Sequence, residues 1–359
     1  MVKNSRRIVV KIGTGVLVGK NKKLDHAILK NIVRQVAVLV KEGHEVLMVS
    51  SGAVGSGRET VAFKGEDSTM EKRMLAAVGQ VSLMRYYQGY FEEKGIAVAQ
   101  ILPLRSDFHD RKRYITIRDI LERLLKNKIV PILNENDVLA TADLCFSDND
   151  NLAALTSVAI KADQLVFLTE REGIFDKDPR KYMNAKLFKE VREITPELKQ
   201  ACSTGKSALG LGGMINKLLA VEMAMKACIE VEICRGGAKD SLIEAVHGKN
   251  PGTRFPAICA ATRNKFLGSK SWLAAGVVPT GTLIIDSGAH KALMAGKSLL
   301  AVGVKEVLGE FAAGDIVAIA DEKRVPLGTG KVRFNSTILA SDKHSIKKPV
   351  IHANDMVVW

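Results

Sequence analysis

Along the first 245 positions the apolar residues alternate between two periods. Ile8–Val10, Val46–Val49, Val98–Leu102, Ile129–Leu133, Gln164–Leu168 and Ile229–Ile233 read as short strands, several of them apolar runs rich in β-branched residues, as expected of strands buried on both faces. Between them the spacing turns helical. His26–Glu42 places Ile28, Leu29, Ile32, Val33, Val36 and Val40 on one face and stops at Gly43. Glu71–Lys94 carries Leu75, Val78, Leu83 and Met84 and stops at Gly95; further helices run up to Lys126, over Leu152–Ile160, and from a glycine-rich turn at 210–213. Strand and helix in alternation predict an α/β fold, a mainly parallel sheet sandwiched by helices.

The pattern then changes. Asn250–Ala275, with Pro251, Gly252 and Pro256, reads as a linker. Beyond Gly276 come short β-rich pieces at Thr282–Asp286, Gly303–Leu308, Ile316–Ala320 and Lys331–Phe334, separated by Gly and Asp turns. These predict a small, mostly β second domain. The division drawn is 1–258 for a catalytic domain, 259–275 for a linker and 276–359 for the second domain.

Composition narrows the class. With 359 residues, 47% hydrophobic and 26% charged, the chain is an ordinary globular protein long enough for two domains. Cys145, Cys202, Cys228, Cys234 and Cys259 never form a CxxC pair, which argues against a disulfide framework or zinc site and for a reducing compartment. There is no apolar run of transmembrane length, and MVKNSRRIVVKIG runs straight into a strand, so the expectation is a cytoplasmic protein with no membrane partner. The net charge of +14 suits an anionic substrate or nucleic acid. Neither runs of like charge nor basic residues interleaved with aromatics single out the second.

Candidate chemistry gathers where strands end, the position at which open α/β sheets hold ligands. The first strand ends in Lys11-Ile12-Gly13-Thr14-Gly15 and the second in Ser50-Ser51-Gly52-Ala53-Val54-Gly55, turns whose amides can meet an anion. After Leu133 follow two polar clusters, Asn134-Glu135-Asn136-Asp137 and Asp148-Asn149-Asp150-Asn151, side chains able to grip an ammonium, a carboxylate or a metal. Thr169-Glu170 closes another strand. Gly210-Leu211-Gly212-Gly213-Met214 leads into a helix with Lys217 in its first turn, aiming amides and an ammonium at one place. Ser203-Thr204-Gly205-Lys206-Ser207 ends like a P-loop, but Gln200 stands where the earlier glycine is required.

KIGTGVL (11–17), VSSGAVGSGR (49–58), LAAVGQ (75–80), ILNENDVLAT (132–141), DNDNLAAL (148–155) and GLGGMINK (210–217) resemble the amino acid kinase family, and within it the glutamate 5-kinases. Residues 281–317 resemble the PUA domain that many of these carry. The resemblance implies ATP-dependent phosphorylation of the γ-carboxylate of L-glutamate to γ-glutamyl phosphate, the first step of proline biosynthesis, with Mg²⁺ entering on ATP. It assigns catalysis to Lys11, Lys217 and Asp150, the aspartate orienting the lysines. Glutamate would be held by Ser51, Gly52, Asp137 and Asn149, with Asn134 close by. ATP would lie against Lys11, Gly13, Thr169 and Glu170 and within 211–217, that is Leu211, Gly212, Gly213, Met214, Ile215, Asn216 and Lys217. It also implies a homo-oligomer, dimer or tetramer, and proline as a feedback inhibitor. Gly15 and Leu211 depart from an expected Ser and Thr, Glu170 from an Asp and Asn216 from a Thr. A carboxylate with a pKa of about 4.3 is already ionised at neutral pH, so the reaction needs no general base, and no His or Ser–His pair stands at these loops. The alternatives carried forward are a kinase for another small carboxylate or phosphate substrate, and RNA binding through the PUA domain.

Overall fold

In a computed structural model the chain divides into two compact units, residues 1–259 and 260–359. The structure describes residues 5–19, 21–62, 68–140, 149–177, 179, 182–203, 214–258, 279–341, 346 and 348–358. The proposed linker 259–275, the Cys145 and Cys259 positions, Asp148 and the 204–213 turn lie outside them.

The first unit runs β1 (Arg7–Ile12), α1 (Thr14–Leu17), α2 (His26–Lys41), β2 (Glu45–Ser50), α3 (Ala53–Thr60), α4 (Thr69–Glu92), β3 (Val98–Ile101), α5 (Arg105–His109), α6 (Arg111–Lys126), β4 (Val130–Leu133), α7 (Asn149–Ala159), β5 (Gln164–Thr169), α8 (Pro196–Ser203), α9 (Met214–Lys226), β6 (Glu230–Arg235), α10 (Ser241–Val246) and β7 (Thr253–Phe255). Its sheet has the order β3-β4-β2-β1-β5-β6-β7. Six strands are parallel, and β7 pairs antiparallel with β6 at the edge. β1 lies mid-sheet, its Ile8, Val10 and Ile12 packed with α2, α4 and α10 in one continuous core. The alternate residues Val9 and Lys11 face the other side, where α7 packs on β1 and against α9. A lysine inside a buried strand is thereby aimed at one chosen helix pair.

Local signals explain most boundaries. Asp25 caps α2 by accepting from the Ile28 amide at 3.0 Å, and Asp110 caps α6 through the Arg113 amide at 2.9 Å. α4 starts two residues before the expected Glu71, because Ser68 and Glu71 form a reciprocal capping box. β7 corrects the reading of Asn250–Ala275 as linker throughout: Ile233, Glu232 and Val231 pair with Thr253, Arg254 and Phe255. Three residues between prolines give too little periodicity to read, yet an edge strand tolerates proline on its flanks.

The second unit comprises β8 (Thr282–Ile285), α11 (Ser287–Met294), β9 (Val304–Leu308), β10 (Ile316–Ala320), β11 (Pro326–Lys331), α12 (Ser336–Ser341) and β12 (Met356–Val358). Its five-stranded sheet, ordered β12-β11-β10-β8-β9, closes over Leu283, Ile285, Val317, Ile319, Val350 and Ile351. The strand expected at Lys331–Phe334 lies earlier. Gly328 and Gly330, which look like turn residues, sit inside β11, where a side chain would strike Val357 and Val358 of β12 or Ile351 and Met356. No helix among the described residues is long and apolar enough to cross a membrane.

Candidate active site

The parallel strands deliver the polar turns to one edge of the sheet. Lys11, 6% exposed, lies opposite Val49 of β2 and Phe167 of β5. Its Nζ meets Asp150 Oδ1 at 2.5 Å, and Lys217 Nζ meets Asp150 Oδ2 at 2.6 Å. Asp150, 2% exposed, stands in the first turn of α7, where the helix dipole favours a carboxylate. Lys217 stands in the first turn of α9, 5.0 Å from the centre of the Phe167 ring. One buried and one half-buried ammonium group thus share one buried carboxylate.

Beside this pair lies an amide network. Asn149, adjacent to Asp150, donates its Nδ2 to Asn134 Oδ1 at 2.9 Å, Ser51 Oγ at 3.0 Å and the Ser50 carbonyl at 3.3 Å. Its Oδ1 accepts from the Glu135 amide at 3.3 Å. Asn134 Nδ2 in turn donates to Gln80 Oε1 on α4 at 3.0 Å. Burial pushes the Asp137 carboxyl up to about 6, against the lowering effect of a hydrogen bond from Asn134. Gly52, the residue before α3, has φ +109°, a conformation that favours glycine, and no side chain caps that helix. Below the network Tyr87 Oη and Ser50 Oγ lie 2.6 Å apart, with the tyrosine fully buried. Ser51, Gly52, Asn134, Asp137, Asn149 and Asp150 therefore converge, as do Lys11 and Lys217.

The outer part of the edge differs from expectation in detail. The Gly13 amide donates to the Leu168 carbonyl at 3.1 Å, so that N–H is committed to the sheet rather than to a phosphate. The Thr169 hydroxyl donates to the Arg171 carbonyl at 2.7 Å and closes its own turn. Met214, Ile215 and Asn216 precede Lys217 in the first turn of α9, while Leu211, Gly212 and Gly213 lie outside the described residues. Gly15 and Glu170 explain one another: a Cβ at position 15 would stand 2.5 Å from Glu170 Cδ. The longer acid fills the space that a side chain at 15 would need. Gln80, quoted within LAAVGQ but given no role by the sequence reading, joins this network through Asn134. Its signal was an amide beside Gly79 on a helix whose neighbours Ala76, Gly79 and Leu83 are buried.

Among the described residues, one group of potential metal ligands, Glu42, His44 and His247, lies at the opposite ends of the strands, with ligand atoms within 4.8 Å of one another. His44 Nδ1 accepts from the Arg6 amide at 3.0 Å, so in the neutral ring Nε2 carries the proton and has no lone pair for a metal. The group is a hydrogen-bonded clip, His247 Nε2 lying 3.0 Å from Glu42 Oε2.

Residues 6–235 match the amino acid kinase family and residues 281–353 match the PUA domain. The chain belongs to the amino acid kinase family. Within it, glutamate 5-kinases match it along nearly its whole length. It is 42% identical over 344 residues to glutamate 5-kinase 2 of Pseudoalteromonas translucida, covering 96% of this chain and 93% of that one. The glutamate 5-kinase of Vibrio vulnificus is 39% identical over 367 residues, covering 98% and 96%. Among solved structures, UMP kinase from Bacillus anthracis aligns with a TM-score of 0.50 at 14% identity, over 72% of this chain and 98% of that one, a likeness of fold alone. The full-length relatives favour neither a different small-molecule kinase nor an RNA-binding protein.

Proposed function

We propose that this chain transfers the γ-phosphoryl group of ATP to the γ-carboxylate of L-glutamate, giving ADP and γ-glutamyl phosphate. One observation carries the reading beyond the names of its relatives: Asn149 and Asp150, neighbours in the chain, join the amide network to the two lysines. The substrate carboxylate is already charged, so the protein has no proton to remove. Its task is to place two anions in line and to offset the charge on the phosphoryl oxygens. Lys11 and Lys217 do this, held apart and aimed by Asp150, which acts as an organiser rather than a base. Asp137 takes the glutamate ammonium, while Ser51, Gly52 and Asn149, backed by Asn134, fix the rest of the substrate. Thr169, Glu170 and the first turn of α9 border the nucleotide. Gly13 contributes close approach rather than its amide.

Both oxygens of Asp150 are engaged by ammonium groups, which does not fit a metal-ligand role. Magnesium would travel on the nucleotide phosphates and offset their charge there. Residues 1–258 carry this chemistry, with 259–275 as linker and 276–359 as the PUA domain. The assembled enzyme is a homo-oligomer, a reading supported by Met70, Met74 and Val81, 69%, 44% and 73% exposed on α4. Proline competes with glutamate, and the site of action is cytoplasmic. The test is ATP- and glutamate-dependent hydroxamate formed in hydroxylamine with magnesium present. A folded protein that makes none refutes the reading.

A further inference from the structure

We propose that Gln80 is a positioning residue of the glutamate site, acting through Asn134 on Asn149. The inference rests on the function proposed above and adds a residue to it. Three amides in series have orientations fixed from one end. The Glu135 backbone N–H can only donate, so the Asn149 atom that accepts it is the carbonyl oxygen. Asn149 must then present its NH₂ to Ser51 Oγ and to Asn134. The Asn134 atom facing it is in consequence the oxygen, which leaves the Asn134 NH₂ needing an acceptor while the side chain is 3% exposed. Gln80 Oε1 supplies that acceptor at 3.0 Å. Asp137 accepts from the same NH₂, so without Gln80 one of its two buried N–H groups loses its acceptor and Asn134 is braced against Asn149 from one side only.

The backbone shows why α4 reaches so far. A Cβ on Gly79 would strike the Ala53 carbonyl and the Gly57 amide, and one on Gly57 would strike the Leu75 carbonyl. α3 and α4 therefore meet backbone to backbone, and the residue after Gly79 arrives beside the turn that carries Ser51 and Gly52. Two glycines set the depth at which the Gln80 amide is held.

The test is steady-state kinetics of the full chain with Gln80→Met, which keeps the length and removes the acceptor. The Michaelis constant for glutamate rises about tenfold, that for ATP stays within about twofold, and kcat within about threefold. Gln80→Asn, which keeps an amide but withdraws it by one methylene, shifts the glutamate constant in the same direction and guards against a folding defect in the first variant. Because Gln80 acts through Asn134, Gln80→Met added to Asn134→Ala raises the constant no further than Asn134→Ala alone. Additive effects, or an unchanged glutamate constant in both single variants of Gln80, overturn the proposal. Wild-type protein without glutamate-dependent turnover would instead sink the functional reading itself.

Discussion

With the role proposed for it, Asp137 should make the grip on glutamate depend on pH in a range where most carboxylates do not titrate. Its ordinary value of 3.8 is raised to about 6 by burial, with the Asn134 hydrogen bond opposing the rise. If only the ionised form holds the substrate ammonium, the apparent Michaelis constant scales as one plus the ratio of protonated to ionised Asp137. That factor is about 1.1 at pH 7, about 2 at pH 6 and about 11 at pH 5. Protonation of free glutamate, with a γ-carboxyl pKa of about 4.3, adds only about 1.2-fold at pH 5. Bound substrate lowers the Asp137 pKa again, so kcat/KM should fall toward acid while kcat stays nearly level. The measurement is ADP formation at saturating ATP, read directly because the hydroxylamine trap itself changes with pH. Asp137→Asn should raise the constant at pH 8 and flatten the profile. A wild-type constant that stays within about twofold between pH 7.5 and 5 refutes the role, as does an Asn variant with an undiminished slope.

Lys217→Met should lower kcat by about a hundredfold or more while the glutamate constant moves less than about threefold, because its contact tightens as charge develops on the phosphoryl group. Asp150→Asn removes the carboxylate that Lys11 and Lys217 share; chemical denaturation should show a loss of about 3 kcal/mol, alongside a fall in kcat. Glu232, 1% exposed on β6, has its carboxyl pushed from 4.5 to about 7, mainly by burial. A raised folded-state value gives stability that is complete below pH 4.5 and lost as pH climbs through 7, about 3 kcal/mol in all. Thermal unfolding of Glu232→Gln at pH 5 and pH 8 should show that loss removed. At the nucleotide edge, Gly15→Ser alone should raise the ATP constant, because Glu170 Cδ occupies its space, and adding Glu170→Asp should restore it; additive defects would break the pairing.

Most strands were legible because burial on both faces leaves apolar runs, and Ile8–Val10 or Ile316–Ala320 need no tertiary information to be read. Lys11, Asp150 and Lys217 were legible as residue types at strand and helix ends, although only the fold places one carboxylate between two ammonium groups. β7 escaped because three residues between prolines carry no period. β11 escaped because its glycines serve close approach rather than a turn. The commitment of the Gly13 amide to Leu168 could not be foreseen, since a glycine in sequence does not say which partner its N–H faces. Gln80 was hidden for a related reason. Its part depends on a chain of amide orientations whose anchor, the Glu135 N–H, lies 55 residues away in sequence.

Asp150 has one more consequence, which concerns turnover. An enzyme that gathers ammonium groups to bind a polyanion must also let a charged product go. Here each lysine already has a resident counter-ion within 2.6 Å, built into the protein and never released. With the roles proposed above, the ammonium groups freed as an acyl phosphate departs would fall back on that carboxylate instead of waiting for ions from solution. Such a site would reset itself between cycles, and departure should depend less on salt than it would from a bare pair of lysines.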